Sequence, residues 1–237
     1  MEKPELMREL RKIGIRPFRI KTTVHYMRRF DFDVDYVIDV GVWTGTPYLY
    51  RAFEDTKFVL IDPLQESRDA IEAAEFPKDY DFHVVALGSE TGEAPLRVTT
   101  TEPGEGGNLS SFHDRVDGVK DRIQGIEVRM VPVVPLDRIA KDYPGPLGLK
   151  IDAEGHELDV LEGATETLER CEFVILELSL AQRFADTPPP STLIALLAKA
   201  GLEFRDIFDS SSYEFDMPRH VDMLFTRWSA PLAQDAA

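Results

Sequence analysis

"YVIDVGVWTGTPYLYRAFEDTKFVLIDP", residues 36–63, decides the fold. An apolar run stops at Asp39, the chain turns through Gly41 and Gly45, and a second apolar run is closed by Asp62. Each run is the length of a buried strand, and each carries an acidic side chain at its carboxyl end. The glycines allow a tight turn and let a ligand approach the backbone where a Cβ would collide. Asp62, 21 residues after Gly41, stands where one carboxylate accepts both hydrogen bonds of a ribose diol.

Working outward, similar β-rich runs recur at 82–87 ("FHVVAL"), 148–152 ("GLKID") and 173–178 ("FVILEL"). With the first two they alternate with helical or polar stretches, which argues for a parallel sheet covered on both faces. Two further runs, 202–208 and 221–227, are joined only by a polar loop and read as a terminal hairpin with one antiparallel strand. The expected fold is therefore α/β: one doubly wound, mostly parallel, Rossmann-like sheet of seven strands. A helix over 155–169 has Leu158, Leu161, Thr165 and Leu168 on one face, and another over 191–201 has Ser191 as N-cap and Gly201 as C-cap. Between the third and fourth strands lie some sixty residues, 88–147, read as an insertion over the active-site face. The expected organisation is a basic N-terminal helical extension (1–30), one domain (31–229) and a flexible tail (230–237).

Composition narrows the function. The 237 residues carry 27 Lys/Arg against 43 Asp/Glu, a net charge of −16 that repels nucleic acid and anionic lipid. Residues 1–30 run against that trend, with nine basic and three acidic side chains, and read as a helix whose cations face the acidic body or solvent. The single cysteine, Cys171, excludes a disulfide framework and a thiolate zinc cluster. No apolar stretch has the length of a signal peptide or a membrane span, so the expectation is a cytoplasmic protein without integral membrane association.

The turn also separates two cofactor classes. A dinucleotide site needs G-x-G-x-x-G, with a helix N-terminus aimed at a pyrophosphate. Here the pattern is D-x-G-x-x-x-G, and Asp39 places a negative charge beside the turn. That charge opposes a pyrophosphate and suits the sulfonium and ammonium of S-adenosyl-L-methionine.

Three segments, "VIDVGVWTG", "LIDP" and "LKIDAEGHELDVLEGA" (149–164), resemble the FkbM-type class I methyltransferases, which use S-adenosyl-L-methionine and mostly methylate hydroxyl oxygens of sugars and natural products. The resemblance runs from about residue 35 to 180. It departs at Trp43, where the family commonly has asparagine, and at Asp62, where glutamate is common. It implies that Asp39, Gly41, Thr44 and Gly45 hold the methionine portion, Asp62 the ribose, and Ala86 and Leu87 the adenine. It also brings "NLSSF" to the cleft through Asn108, Ser110 and Ser111, for which a simple polar turn is the alternative. Trp43 reads equally as a packing residue under the loop and as a lid.

Methyl transfer to a hydroxyl needs alignment and a proton acceptor. Candidates cluster in "DAEGHE": Asp152, Glu154, His156 and Glu157, the first three taken as catalytic, with Asp152 also near the cationic end of the cofactor. Asp152 and Glu154 have helix capping as their other reading. A divalent cation on Asp152 and Glu177 is set aside, because two carboxylates on neighbouring strands are no specific metal signature. The expected function is O-methylation of a glycan, glycolipid or other small-molecule acceptor. A cofactor-binding partner or sensor without turnover is the alternative, and a nicotinamide-dependent reductase a weaker one. The acceptor's identity and any homo-oligomer stay open.

Overall fold

The computed structural model describes residues 3–14, 20–100, 109–211 and 218–229. Asn108 and the tail 230–237 lie outside the described residues. Two helices, α1 (Lys3–Lys12) and α2 (Val24–Arg28), precede the first strand, β1 (Tyr36–Val40). Then come α3 (Pro47–Ala52), β2 (Lys57–Ile61), α4 (Gln65–Ala74) and β3 (Tyr80–His83). A second sheet follows, made of β4 (Ala86–Leu87), β5 (Gly92–Thr100) and β6 (Gly125–Val134). The chain returns through α5 (Leu136–Ala140), β7 (Leu147–Ile151), α6 (Glu157–Glu162), α7 (Thr165–Leu168) and β8 (Cys171–Ser179). It ends with α8 (Pro190–Lys199), β9 (Leu202–Ser210) and β10 (His220–Arg227).

The main sheet has the order β3-β2-β1-β7-β8-β10-β9. Neighbours are parallel from β3 to β8, and β10 runs antiparallel between β8 and β9. The seven expected strands and the terminal hairpin are present. The order reverses between β1 and β7, so the carboxyl ends of these two strands open a crevice.

Alternation along each strand builds two cores. Ile38, Val40, Ile61, Leu149 and Ile151 pack with Val160, Leu161 and Leu197 on one face. Val37, Phe58, Leu60, Phe173 and Ile175 pack with Tyr26, Met27, Leu49 and Tyr50 on the other. Tyr26 and Met27 thus place α2 within the domain's own core. No helix among the described residues is long and apolar enough to cross a membrane.

Four details depart from the sequence expectations. The third strand ends at His83, and Ala86 and Leu87 pair with Val133 and Val134 of β6, because β3 is the sheet edge and the insertion supplies the next strand partner. The insertion contains an antiparallel β5–β6 pair, whose first strand runs through Pro95 and shows no clean alternation. The expected 155–169 helix is broken at Gly163, where a Cβ would fall 2.1 Å from the Gly88 carbonyl oxygen. The break shifts the phase, so Val160, Leu161, Ala164 and Leu168 are buried and Thr165 is exposed. Finally, α8 starts at Pro190 with Pro189 as N-cap, which leaves Ser191 inside the first turn.

Candidate active site

Above the crevice lies an open-mouthed cleft of about 110 Å³. Its floor is the ends of β1 and β2, with Val40, Gly41, Ile61 and Asp62. Val85, Ala86, Leu87 and Leu96 form one wall, while Asp152, Ala153, Glu154 and His156 form another. Ser110, Ser111 and Phe112 cover it from the insertion.

Gly41 has φ +75°, and a Cβ there would fall 1.7 Å from the Asp152 carbonyl oxygen. The glycine therefore lets the loops after β1 and β7 touch. Asp62 is buried, and its two oxygens accept the backbone N–H groups of Trp43 (3.0 Å) and Leu64 (2.9 Å). Burial pushes its pKa up against those two bonds. Each carboxylate oxygen keeps a further lone pair, the number a ribose diol needs. Trp43 itself adopts φ +45°, pinned by this contact with Asp62.

Asp39, Thr44 and Gly45 do not line the cleft. Asp39 is fully buried on the opposite face of the sheet, where Tyr50 donates its hydroxyl (2.7 Å) and Lys150 stands 3.5 Å away. Its Oδ1 makes no hydrogen bond. Thr44 is exposed, and a Cβ on Gly45 would meet the Tyr50 ring at 2.9 Å. Asp39 and Gly45 pack against Tyr50 beneath the turn.

A family model describing the methyltransferase FkbM domain matches residues 33–215. The chain belongs to the FkbM methyltransferase family. Among solved structures, it is similar to methyltransferase FkbM from Methylobacillus flagellatus KT, with 17% identity and a TM-score of 0.54 over 94% of this chain and 50% of that one. It spans about half the length of that relative. A more distant likeness is magnesium protoporphyrin IX methyltransferase from Synechocystis PCC 6803 with bound SAM, at 9% identity and a TM-score of 0.45 over 95% and 92% of the two chains. A comparison with curated protein sequences finds no match.

In this FkbM domain the acidic loop after β7 divides into unlike parts. The Asp152 side chain is 34% exposed and stands 3.5 Å from Lys150 Nζ. Burial and the charge of Glu177 push its carboxyl up to about 6, against the pull of Lys150 and Arg183. Glu154, at φ +46°, directs Oε2 to Arg115 (2.8 Å) and Arg183 (2.9 Å), both almost wholly buried. Burial and Glu177 raise its pKa too, to about 8, although both guanidiniums oppose this. Glu177 also pairs with Arg183. Burial would raise its pKa, but Arg183, His220 and Lys150 outweigh that and hold it below the usual carboxylate range. The Glu157 carboxylate turns back to accept the Ala153 and Gly155 N–H groups, tightening the loop.

The sequence reading missed Lys150, Arg115 and Arg183. Lys150 carries its charge inside a buried strand, held ionised because Asp39, Asp152 and Asp222 outweigh the cost of burial. A lysine in an otherwise apolar strand was the available signal. The arginines had none, because they lie 39 and 29 residues from Glu154 along the chain.

Proposed function

We propose that this FkbM domain is a methyltransferase that uses S-adenosyl-L-methionine to methylate a hydroxyl oxygen of a small-molecule or glycan acceptor. The cofactor supplies an electrophilic methyl group; the protein supplies alignment, charge and a proton acceptor. Gly41 lets the loops after β1 and β7 meet at the floor of the cleft, Asp62 offers carboxylate oxygens to a diol, and Ala86, Leu87 and Phe112 offer apolar walls for a purine.

The observation that carries the reading is the contrast between Asp152 and Glu154. Both residues line the cleft, but the Glu154 carboxylate is engaged by two buried guanidiniums and the Asp152 side chain is a third exposed. Asp152 is thus the acidic group free to accept a hydroxyl proton, with a pKa near 6 that leaves it ionised at neutral pH. Lys150 on its far side keeps it oriented. Glu154 serves as the anchor that joins Arg115 to Arg183 and holds the loop rigid.

The test is titration calorimetry with S-adenosylhomocysteine and with NADH, followed by transfer of labelled methyl from S-adenosyl-L-methionine to a panel of hydroxylated and amine acceptors. Binding of the homocysteine compound alone, with hydroxyl acceptors methylated, is the expected result. Tight binding with no transfer to any acceptor would favour the partner or sensor reading, and NADH binding the reductase.

A further inference from the structure

Beside the cleft, His113 from the insertion meets His156 and Asp159, which stand three residues apart at the start of α6. His113 Nε2 lies 3.3 Å from His156 Nδ1, and the same Nδ1 lies 3.3 Å from Asp159 Oδ2. Among the described residues, this is the group of His, Cys, Asp and Glu whose three ligand atoms lie within 4.8 Å of one another. We propose that His113, His156 and Asp159 bind a first-row divalent metal ion, with zinc the best fit, that clips the insertion to α6.

The geometry favours an ion over hydrogen bonds. His156 Nδ1 carries at most one proton, yet it faces two partners at equal distance, and 3.3 Å exceeds the usual donor–acceptor distance of about 2.7–3.2 Å for an N–H···O hydrogen bond. If the proton sits on Nδ1, one partner is unserved; if it does not, Nδ1 and the carboxylate oppose lone pair to lone pair. A cation satisfies all three. Tetrahedral zinc, with bonds of about 2.0–2.1 Å, has ligand edges of about 3.3–3.4 Å, which matches both distances. Two imidazoles and one carboxylate suit zinc, cobalt or nickel rather than magnesium or calcium.

The surroundings hold the ligands in place. The segment bearing His113 is bridged to β5 by the Arg97–Ser111 backbone pair, and Ser111 Oγ donates to the Glu154 carbonyl (2.6 Å) and accepts the His113 N–H (3.0 Å). The Phe112 ring packs on His156 at 4.6 Å. Burial pushes both imidazoles below the usual histidine range, so they are neutral, the form that ligates. Asp159 is 40% exposed and gives the ion a way in, and three protein ligands leave a fourth position open. Since His156 also lines the cleft, the ion would fix the cover formed by residues 110–113 over the cofactor cavity.

The test uses the full chain, stripped with chelator and titrated with zinc, cobalt and magnesium. Zinc and cobalt should each bind one equivalent, cobalt with visible absorption of tetrahedral intensity, and magnesium should not bind. His113→Ala and Asp159→Asn should each weaken zinc binding by about 10–100-fold or more, while His25→Ala, at an exposed histidine elsewhere, should not. Absence of stoichiometric binding, an octahedral cobalt spectrum, or equal affinity in the parent and both ligand variants would overturn the proposal. Cobalt absorption of the parent reads the site directly, even if one variant fails to fold.

Discussion

The backbone at Gly41 lies so close to the Asp152 carbonyl oxygen that a Cβ would approach it to 1.7 Å. The turn proposed to meet the cofactor and the loop that carries the acidic group are thus one packed unit. Gly41→Ala must adopt a left-handed backbone and also part the two loops. We expect a loss of about 3 kcal/mol or more, a fall in Tm on the order of 6–12 °C, and weaker S-adenosylhomocysteine binding. A variant with parent Tm and affinity would show that the contact is not needed.

Asp62 bridges Trp43 and Leu64 through backbone N–H groups, in addition to its proposed role on the ribose. Asp62→Ala should weaken S-adenosylhomocysteine binding by about 1–3 kcal/mol in calorimetry and lower Tm, since two N–H groups lose their acceptor. Unchanged affinity would move the ribose elsewhere.

Activity should depend on pH through Asp152. With its pKa pushed to about 6, kcat/KM should fall about tenfold per unit below that value and level off above it. Asp152→Asn should lower kcat by about 10²-fold or more, abolish that break in the profile, and keep Tm within a few degrees. A break near 6 that persists in the variant would assign the titration to another group.

Glu154 should behave differently. At pH 9, above the value of about 8 to which burial and Glu177 push Glu154, Glu154→Gln removes the charge shared by two buried guanidiniums, each of which keeps one other carboxylate among the described residues, Asp117 for Arg115 and Glu177 for Arg183. We expect a loss of about 2–4 kcal/mol in chemical denaturation. Parent stability with kcat reduced 10²-fold would instead make Glu154 the proton acceptor.

Stability should rise as pH falls from about 7 to 5. Burial raises Asp152 to about 6 and Asp222 and Glu157 to about 7, all above their unfolded values near 4. A carboxyl whose folded pKa exceeds its unfolded one takes up its proton first in the folded state, so protonation in that window favours folding. Glu154, raised to about 8, and the chain's net charge of −16 act in the same direction, while His83, His113 and His156, held neutral by burial, act against it. A higher Tm at pH 7.5 than at pH 5.5 would contradict this.

What was legible in the sequence was local and periodic. Short apolar, β-rich runs marked the strands, and the polar loop between 208 and 221 marked the antiparallel pair, because a strand buried on one or both faces must write its burial into its residues. The Gly41 turn and Asp62 were legible for the same reason: a left-handed backbone and a strand-end carboxylate are properties of single positions. Tertiary structure alone decided the rest. The distinction between Asp152 and Glu154 depends on Arg115 and Arg183, the exit of Ala86 and Leu87 from the main sheet on Val133 and Val134, and the meeting of His113 with His156 on a fold that closes 43 residues of chain. The electrostatic energy of a carboxylate depends on distances through space and on burial, and neither is written in the spacing of residues along the chain.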